Sequence, residues 1–210
     1  MFIILNDLRA MEKYAEEYNI PIMERRGLKF LVDYIKSKNV KSILEIGTAI
    51  GYSAINMALS NPGVSIVSIE KDEVRYLEAI KNVKKFKLDK QITLILGDAL
   101  NLELTEKYDL IFIDAAKGQY VNFFEKYSQN LNDKGTIISD NIYFHGLIEQ
   151  NIRIEKKNLR QLVDKIKKYI LFLEGHEEFK TEFYKIGDGI AVSRKRVITN
   201  ENRYITEESE

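Results

Sequence analysis

The chain has 210 residues, 45% of them hydrophobic, which is enough for one sizeable core and short for two. Thirty-two Lys and Arg balance thirty-two Asp and Glu, which excludes a protein held to nucleic acid by bulk charge. The absence of cysteine excludes disulfide frameworks, thiolate nucleophiles and Cys-ligated zinc or iron–sulfur centres.

In chain order, residues 7–18 and the stripe Leu28, Leu31, Val32 and Ile35 predict two helices, within 5–37, that cover the sheet or its mouth. From residue 41 onward short β-rich runs alternate with longer amphipathic stretches, the pattern of βαβ units. Strands are expected at 41–46, 64–69, 91–96, 108–113 and 135–139. One crossover helix carries Val74, Leu77, Ile80 and Val83, and another carries Tyr120, Phe123, Phe124, Tyr127 and Leu131. A charged helix around 155–169 then leads to two further runs, 179–186 and 189–193, forming a hairpin around Gly187-Asp188. The fold class is therefore α/β and Rossmann-like: a mostly parallel seven-stranded sheet ending in an antiparallel hairpin, with helices on both faces. That hairpin departs from the all-parallel dinucleotide-binding sheet and suits the methyltransferase variant. Residues 1–196 are expected to form a single domain and 197–210 a disordered polar tail. No apolar stretch approaches a membrane span, and the N-terminus lacks a basic region with a cleavage site, so a soluble cytoplasmic protein without a membrane partner is expected.

The first strand runs into Glu45-Ile-Gly-Thr-Ala-Ile-Gly-Tyr-Ser53, a turn with Gly47 and Gly51 that opens the next helix. Glycine lets backbone pass close to a ligand, and the amides of a helix start favour an anion. The turn lacks the middle glycine of G-x-G-x-x-G and the Lys-Ser/Thr of a P-loop, so a smaller anion is expected. The carboxylate of S-adenosylmethionine fits, with the Ser53 hydroxyl as an added donor. Glu70, at the end of the second strand, can accept from both ribose hydroxyls. Asp98 can accept from the adenine amino group while the Ala99 backbone reads the ring edge. Asp114, Asp140 and Asn141, at the ends of the fourth and fifth strands, supply three oxygen ligands that suit Mg²⁺. The alternative is that Asp114 caps a helix starting near Gly118 and that Asp140-Asn141 is a turn. Lys117 shares this mouth. His145 and His176 are assigned no role.

Taken together, the run 44–54, Glu70, Gly97-Asp98-Ala99, Asp114-x-x-Lys117 and Asp140-Asn141 resemble the class I, metal-dependent, catechol-type O-methyltransferases. The stretch from Tyr14 to Glu24, followed by the glycine turn, is most similar to the bacterial tRNA 5-hydroxyuridine methyltransferase branch. The resemblance implies Asp114, Asp140 and Asn141 as metal ligands and Lys117 as catalytic base. It also implies Met23, Ser53, Glu70, Asp98, Ala99 and Asp114 around S-adenosylmethionine, with Glu45 and Gly47 of the turn joining them, and a homodimer.

The substrate expected from that branch is 5-hydroxyuridine at the wobble position of a tRNA anticodon loop, methylated to 5-methoxyuridine. Ala115-Ala116 stands where catechol-specific relatives carry bulky residues, which implies a wide mouth. Arg25, Arg26 and Lys29 near its entrance, and the lysine-rich stretches 79–90 and 151–170, could follow phosphates. The alternatives are an O-methyltransferase of small catechols or hydroxycinnamoyl thioesters and, more remotely, a non-enzymatic nucleotide-binding module.

Overall fold

The computed structural model describes residues 2–143 and 156–196. Two helices come first, α1 (Phe2–Glu17) and α2 (Arg25–Ser37), followed by β1 (Ser42–Ile46), α3 (Tyr52–Ser60), β2 (Ser65–Glu70), α4 (Glu73–Lys85), β3 (Ile92–Leu96) and β4 (Tyr108–Ile113). A 3₁₀ turn (Lys117–Gln119) leads into α5 (Tyr120–Ser128), β5 (Leu131–Asp140), α6 (Lys157–Glu174), β6 (Phe179–Tyr184) and β7 (Ile190–Lys195). The seven strands form one sheet in the order β3-β2-β1-β4-β5-β7-β6. The first five run parallel, and β7 lies antiparallel to both β5 and β6. Among the described residues no helix is long and apolar enough to cross a membrane.

Strand periodicity divides the core into two layers. On β1 and β4, Ile43, Leu110 and Phe112 pack with α1, α2 and α3 on one face. Leu44, Ile46, Ile111 and Ile113 pack with α5 and α6 on the other. Side chains alternate across a strand, so a run of apolar residues buried on both faces is what a central parallel strand requires. Helix ends follow local chemistry as well. At the start of α4 the Asp72 carboxylate accepts the Arg75 amide at 3.0 Å, and Lys84 and Lys85 occupy the last turn, where the helix dipole favours cations.

Several boundaries differ from the sequence expectation, among them the start of α1 at Phe2 and the end of α6 at Glu174. Leu131 belongs to β5, opposite Tyr108, and not to the preceding helix, which ends at Ser128. Asn130 makes that break: its carbonyl accepts the Tyr108 amide at 2.8 Å, and its side chain donates to the carbonyls of Leu104 and Glu106, drawing the chain into the sheet four residues before the expected start at 135. The hairpin strands are also shorter at the turn, leaving 185–189 as its connection. The expected tail at 197–210, His145 and the first five residues, 151–155, of the lysine-rich stretch 151–170 lie outside the described residues.

Because β1 to β5 are parallel, their carboxyl ends open on one edge of the sheet. The loops after β1, β2, β3, β4 and β5 converge there, which is where open α/β sheets place ligands.

Candidate active site

The convergent loops enclose a cleft of ≈ 330 Å³. Its walls include Gly47 and Ser53 from the glycine turn, Glu70, Asp98 and Ala99, and then Asp114, Lys117, Asp140 and Asn141. Met23, in the link between α1 and α2, also lines it. Every one of these positions was singled out in the sequence, and the fold brings them to one concavity.

The glycine turn owes its shape to protein contacts more than to any ligand. Gly47 has φ +103°, and a Cβ there would lie 2.0 Å from the Asp114 carbonyl oxygen. Only a residue without a side chain lets the β1 loop pass so close to the end of β4. We expect Gly47→Ala to destabilise the fold by at least about 3 kcal/mol and to abolish cofactor binding. Gly51→Ala, where φ is +84° but the nearest atom is 3.5 Å away, should cost only about 1–2 kcal/mol. Chemical denaturation of the two variants checks the ordering.

Glu70 is buried and held from both sides: its two carboxylate oxygens accept the amides of Ala49 at 2.8 Å and Asp72 at 2.9 Å. A carboxylate so fixed still has lone pairs for a pair of hydroxyls. Asp98 folds back to accept the Leu100 amide at 2.9 Å through one oxygen.

Glu45 stands apart from the sequence expectation. Fully buried on β1, it does not line the cleft but lies behind it, accepting the Ser53 hydroxyl at 2.5 Å and the Ser68 hydroxyl through its other oxygen. Ser53 lines the cleft, yet its proton points away from it.

At the other end of the cleft, burial is the largest influence pushing the Asp114 and Asp140 carboxyl groups above the usual carboxylate range. The charge of Asp114 pushes Asp140 up further, the Lys117 ammonium pulls both down, and Asp188 from the β6–β7 connection pushes both up. Asn141 adopts a left-handed conformation at φ +64°, which Asn tolerates better than most residues, and its Oδ1 is buried without a hydrogen-bond partner. A buried acceptor left unpaired costs about 1–3 kcal/mol. A buried and a half-buried carboxyl beside an unpaired amide oxygen are an arrangement that a hard divalent cation would relieve. Among the described residues no three His, Cys, Asp or Glu side chains gather closely enough to hold a metal, and a cation here would have to draw on the amide oxygen of Asn141 as well. The capping alternative fails for Asp114, because the 3₁₀ turn at Lys117–Gln119 has Ala116 at its N-cap and no side-chain cap.

Arg25, Arg26 and Lys29, expected near the entrance, are not among the residues that line the cleft. The Arg25 guanidinium donates to Glu12 at 2.9 and 2.5 Å, and Lys29 pairs with Asp33 one helical turn on. Glu12 also accepts the Tyr52 hydroxyl at 2.5 Å, so α1 is fastened to the cleft wall. Sequence reasoning missed Tyr52, Lys71, Arg75 and Phe123, all of which line the cleft. Tyr52 alone had a signal, its place directly after Gly51. Lys71 follows Glu70 at the end of β2, and Arg75 and Phe123 face the cleft because of how α4 and α5 are seated.

The O-methyltransferase family model matches residues 2–196. The tapetum-specific methyltransferase 1 of Arabidopsis thaliana is 30% identical over 206 residues, which span 92% of this chain and 87% of that protein. The caffeoyl-CoA O-methyltransferase of Populus kitakamiensis is 27% identical over 84% of this chain and 78% of its own. Among solved structures, a caffeoyl-CoA O-methyltransferase candidate from Staphylococcus aureus superposes with a TM-score of 0.86 at 35% identity, covering 90% of this chain and 92% of that one. An O-methyltransferase of Bacillus cereus in complex with SAH shares the fold at 24% identity and a TM-score of 0.77, covering 91% of each chain. A match running from α1 to the end of β7 takes in the sheet and the whole cleft, and the chain belongs to the O-methyltransferase family.

Proposed function

We propose that this protein transfers the methyl group of S-adenosylmethionine to one of two neighbouring oxygens on an aromatic ring, with hydroxycinnamoyl thioesters and simple catechols as its substrate class. The observation that carries the reading is the pairing, in one cleft, of an anchored ribose-type acceptor, Glu70, with an oxygen cluster of Asp114, Asp140 and the unpartnered Asn141. The names of the caffeoyl-CoA relatives support the substrate class.

In this reading Glu70 accepts both ribose hydroxyls, Asp98 and the Ala99 backbone hold the adenine, and the first amides of α3 hold the carboxylate of the cofactor. Met23 and Phe123 cover the reacting end and keep water from it. S-Adenosylmethionine supplies the methyl group on a sulfonium, a reactive donor that needs only an aligned nucleophile. A divalent cation held by Asp114, Asp140 and Asn141 would favour the ionised form of a nearby hydroxyl and orient both ring oxygens. Lys117, as its neutral amine, accepts the hydroxyl proton on Nζ, and the oxygen then attacks the methyl carbon in line with the departing sulfur. Positioning of two reactants in this manner can be worth roughly 7–11 kcal/mol of barrier.

A second reading, the wobble 5-hydroxyuridine of tRNA, draws on the small side chains of Ala115 and Ala116 in the cleft wall. Its ring also presents two neighbouring oxygens. The ion pairs of Arg25 and Lys29 count against it, although such exposed pairs contribute only about 0–1 kcal/mol and could open. The separating experiment compares kcat/KM for a caffeoyl thioester, catechol and hypomodified tRNA at two salt concentrations. The thioester or catechol is expected to be methylated, with tRNA unlabelled. Efficient labelling of tRNA that falls steeply with salt, and none of the small phenols, would reverse the choice.

A further inference from the structure

Behind the glycine turn lies a chain of four polar side chains that the methyl-transfer scheme does not use. Ser53 donates to Glu45 at 2.5 Å, Ser68 donates to the other oxygen of the same carboxyl, and the Thr48 and Ser68 hydroxyls are 2.5 Å apart. Glu45, Ser53, Ser68 and Thr48 are all buried, and of these only Ser53 and Thr48 reach the cleft. Among the described residues no cationic side chain pairs with Glu45.

Counting protons gives this chain a direction. Each hydroxyl has one proton to donate. With Glu45 ionised, the Ser53 proton is committed to Glu45 and Ser53 can offer an anion in the cleft only its lone pairs. With Glu45 carrying a proton, the carboxylic acid can donate to Ser53, and Ser53 can turn its own proton into the cleft. Ser68 continues to donate to the second carboxyl oxygen in both states.

We propose that Glu45 is a positioning residue which, when a carboxylate-bearing ligand binds beside Ser53, holds one proton and donates it to Ser53, so that binding is coupled to proton uptake. The inference deepens the cofactor reading and rests on it: the ligand carboxylate is that of S-adenosylmethionine or S-adenosylhomocysteine. Burial pushes the Glu45 carboxyl up to about 8, against the opposing hydrogen bonds of Ser53 and Ser68. The nearby carboxyls of Asp114, at the end of β4, and Glu70, at the end of β2, push it in the same direction. The acid form is therefore available near neutral pH and is lost as pH rises through that value. Affinity for the carboxylate-bearing ligand should be level below pH 8 and fall by up to about tenfold per unit above it.

The test is calorimetry at pH 7 and pH 9, each in two buffers of different ionisation enthalpy, which counts protons taken up on binding. The probe is S-adenosylhomocysteine, with 5′-methylthioadenosine, which lacks the carboxylate, as control. The ligand's own amine titrates in the same range. Glu45→Gln supplies the baseline, since its amide donates to Ser53 and accepts from Ser68 as the neutral acid does. The wild-type protein should take up more protons than Glu45→Gln, with the excess larger at pH 9 than at pH 7 and approaching one proton, and with no difference for methylthioadenosine. Glu45→Gln should show no Glu45-linked loss of affinity above pH 8, whereas Glu45→Ala should bind weakly at both pH values. If Glu45→Gln does not fold, the wild-type protein with the deaminated analogue of S-adenosylhomocysteine gives the same proton count free of the amine. Equal proton uptake by wild type and Glu45→Gln, or none with the deaminated analogue, overturns the role of Glu45 and leaves the cofactor reading standing. No binding of S-adenosylhomocysteine at either pH overturns both.

Discussion

Chelation of divalent ions should suppress methyl transfer by about 10³-fold, and added Mg²⁺ should restore it, because Lewis-acid stabilisation of the developing oxyanion is worth several kcal/mol. The same cluster predicts an inversion of stability. Asp140 is buried and Asp114 half-buried, and desolvation together with their mutual repulsion disfavours the doubly ionised state. Without a divalent ion, Asp140→Asn should therefore be at least as stable as the wild-type protein at neutral pH. With saturating Mg²⁺ the order should reverse, because ligand binding stabilises only the protein that can hold the ion well. Melting curves of the two proteins with EDTA and with Mg²⁺ read this directly. A mutation that merely damaged the fold would lower both curves. Full activity in excess EDTA, or in Asp140→Ala, would remove the metal from the account.

The second large effect belongs to Lys117. Lys117→Met should lower kcat by about 10²–10⁴, the usual contribution of a positioned general base, while the affinity for S-adenosylhomocysteine stays close to wild type. Lys117→Arg should not rescue it, because a guanidinium keeps its proton and cannot accept the one from the substrate. Lys117 stands at the start of the 3₁₀ turn after β4, on the cleft wall and within electrostatic reach of both metal-type carboxyls. A parallel loss of cofactor affinity would recast it as a binding residue, and a near-normal kcat would exclude it from the chemistry.

Much of the site was legible in the sequence because parallel strands impose an address. Once 41–46, 64–69, 91–96, 108–113 and 135–139 read as strands, Glu70, Asp98, Asp114 and Asp140 fell at or just after their carboxyl ends, and the fold gathers such ends on one edge. Glu45 was harder to read. It is one residue from the end of β1 and looks like its neighbours in the pattern, but strand alternation turns it inward toward α3, where Ser53 and Ser68 receive it. The side of a strand on which one acidic residue will find partners depends on the helix packed there. The partners of Arg25 and Lys29 were hidden for a related reason. Charge and position along the chain were visible, but the acids that engage them are Glu12 from a different helix and Asp33 on the same one. Leu131 was misread because apolar spacing continues unbroken from α5 into β5, and only the carbonyls bound by Asn130 mark the break.

The central claim, methyl transfer from S-adenosylmethionine to one of two vicinal ring oxygens, is tested most directly by incubating the protein and Mg²⁺ with a caffeoyl thioester and cofactor carrying a trideuterated methyl group, then identifying the products by mass spectrometry. The account predicts one S-adenosylhomocysteine for each thioester that gains a single trideuteromethyl group on a ring oxygen, and loss of both products in Lys117→Met. S-Adenosylhomocysteine formed without a methylated phenol, or label found on carbon or nitrogen, would contradict it.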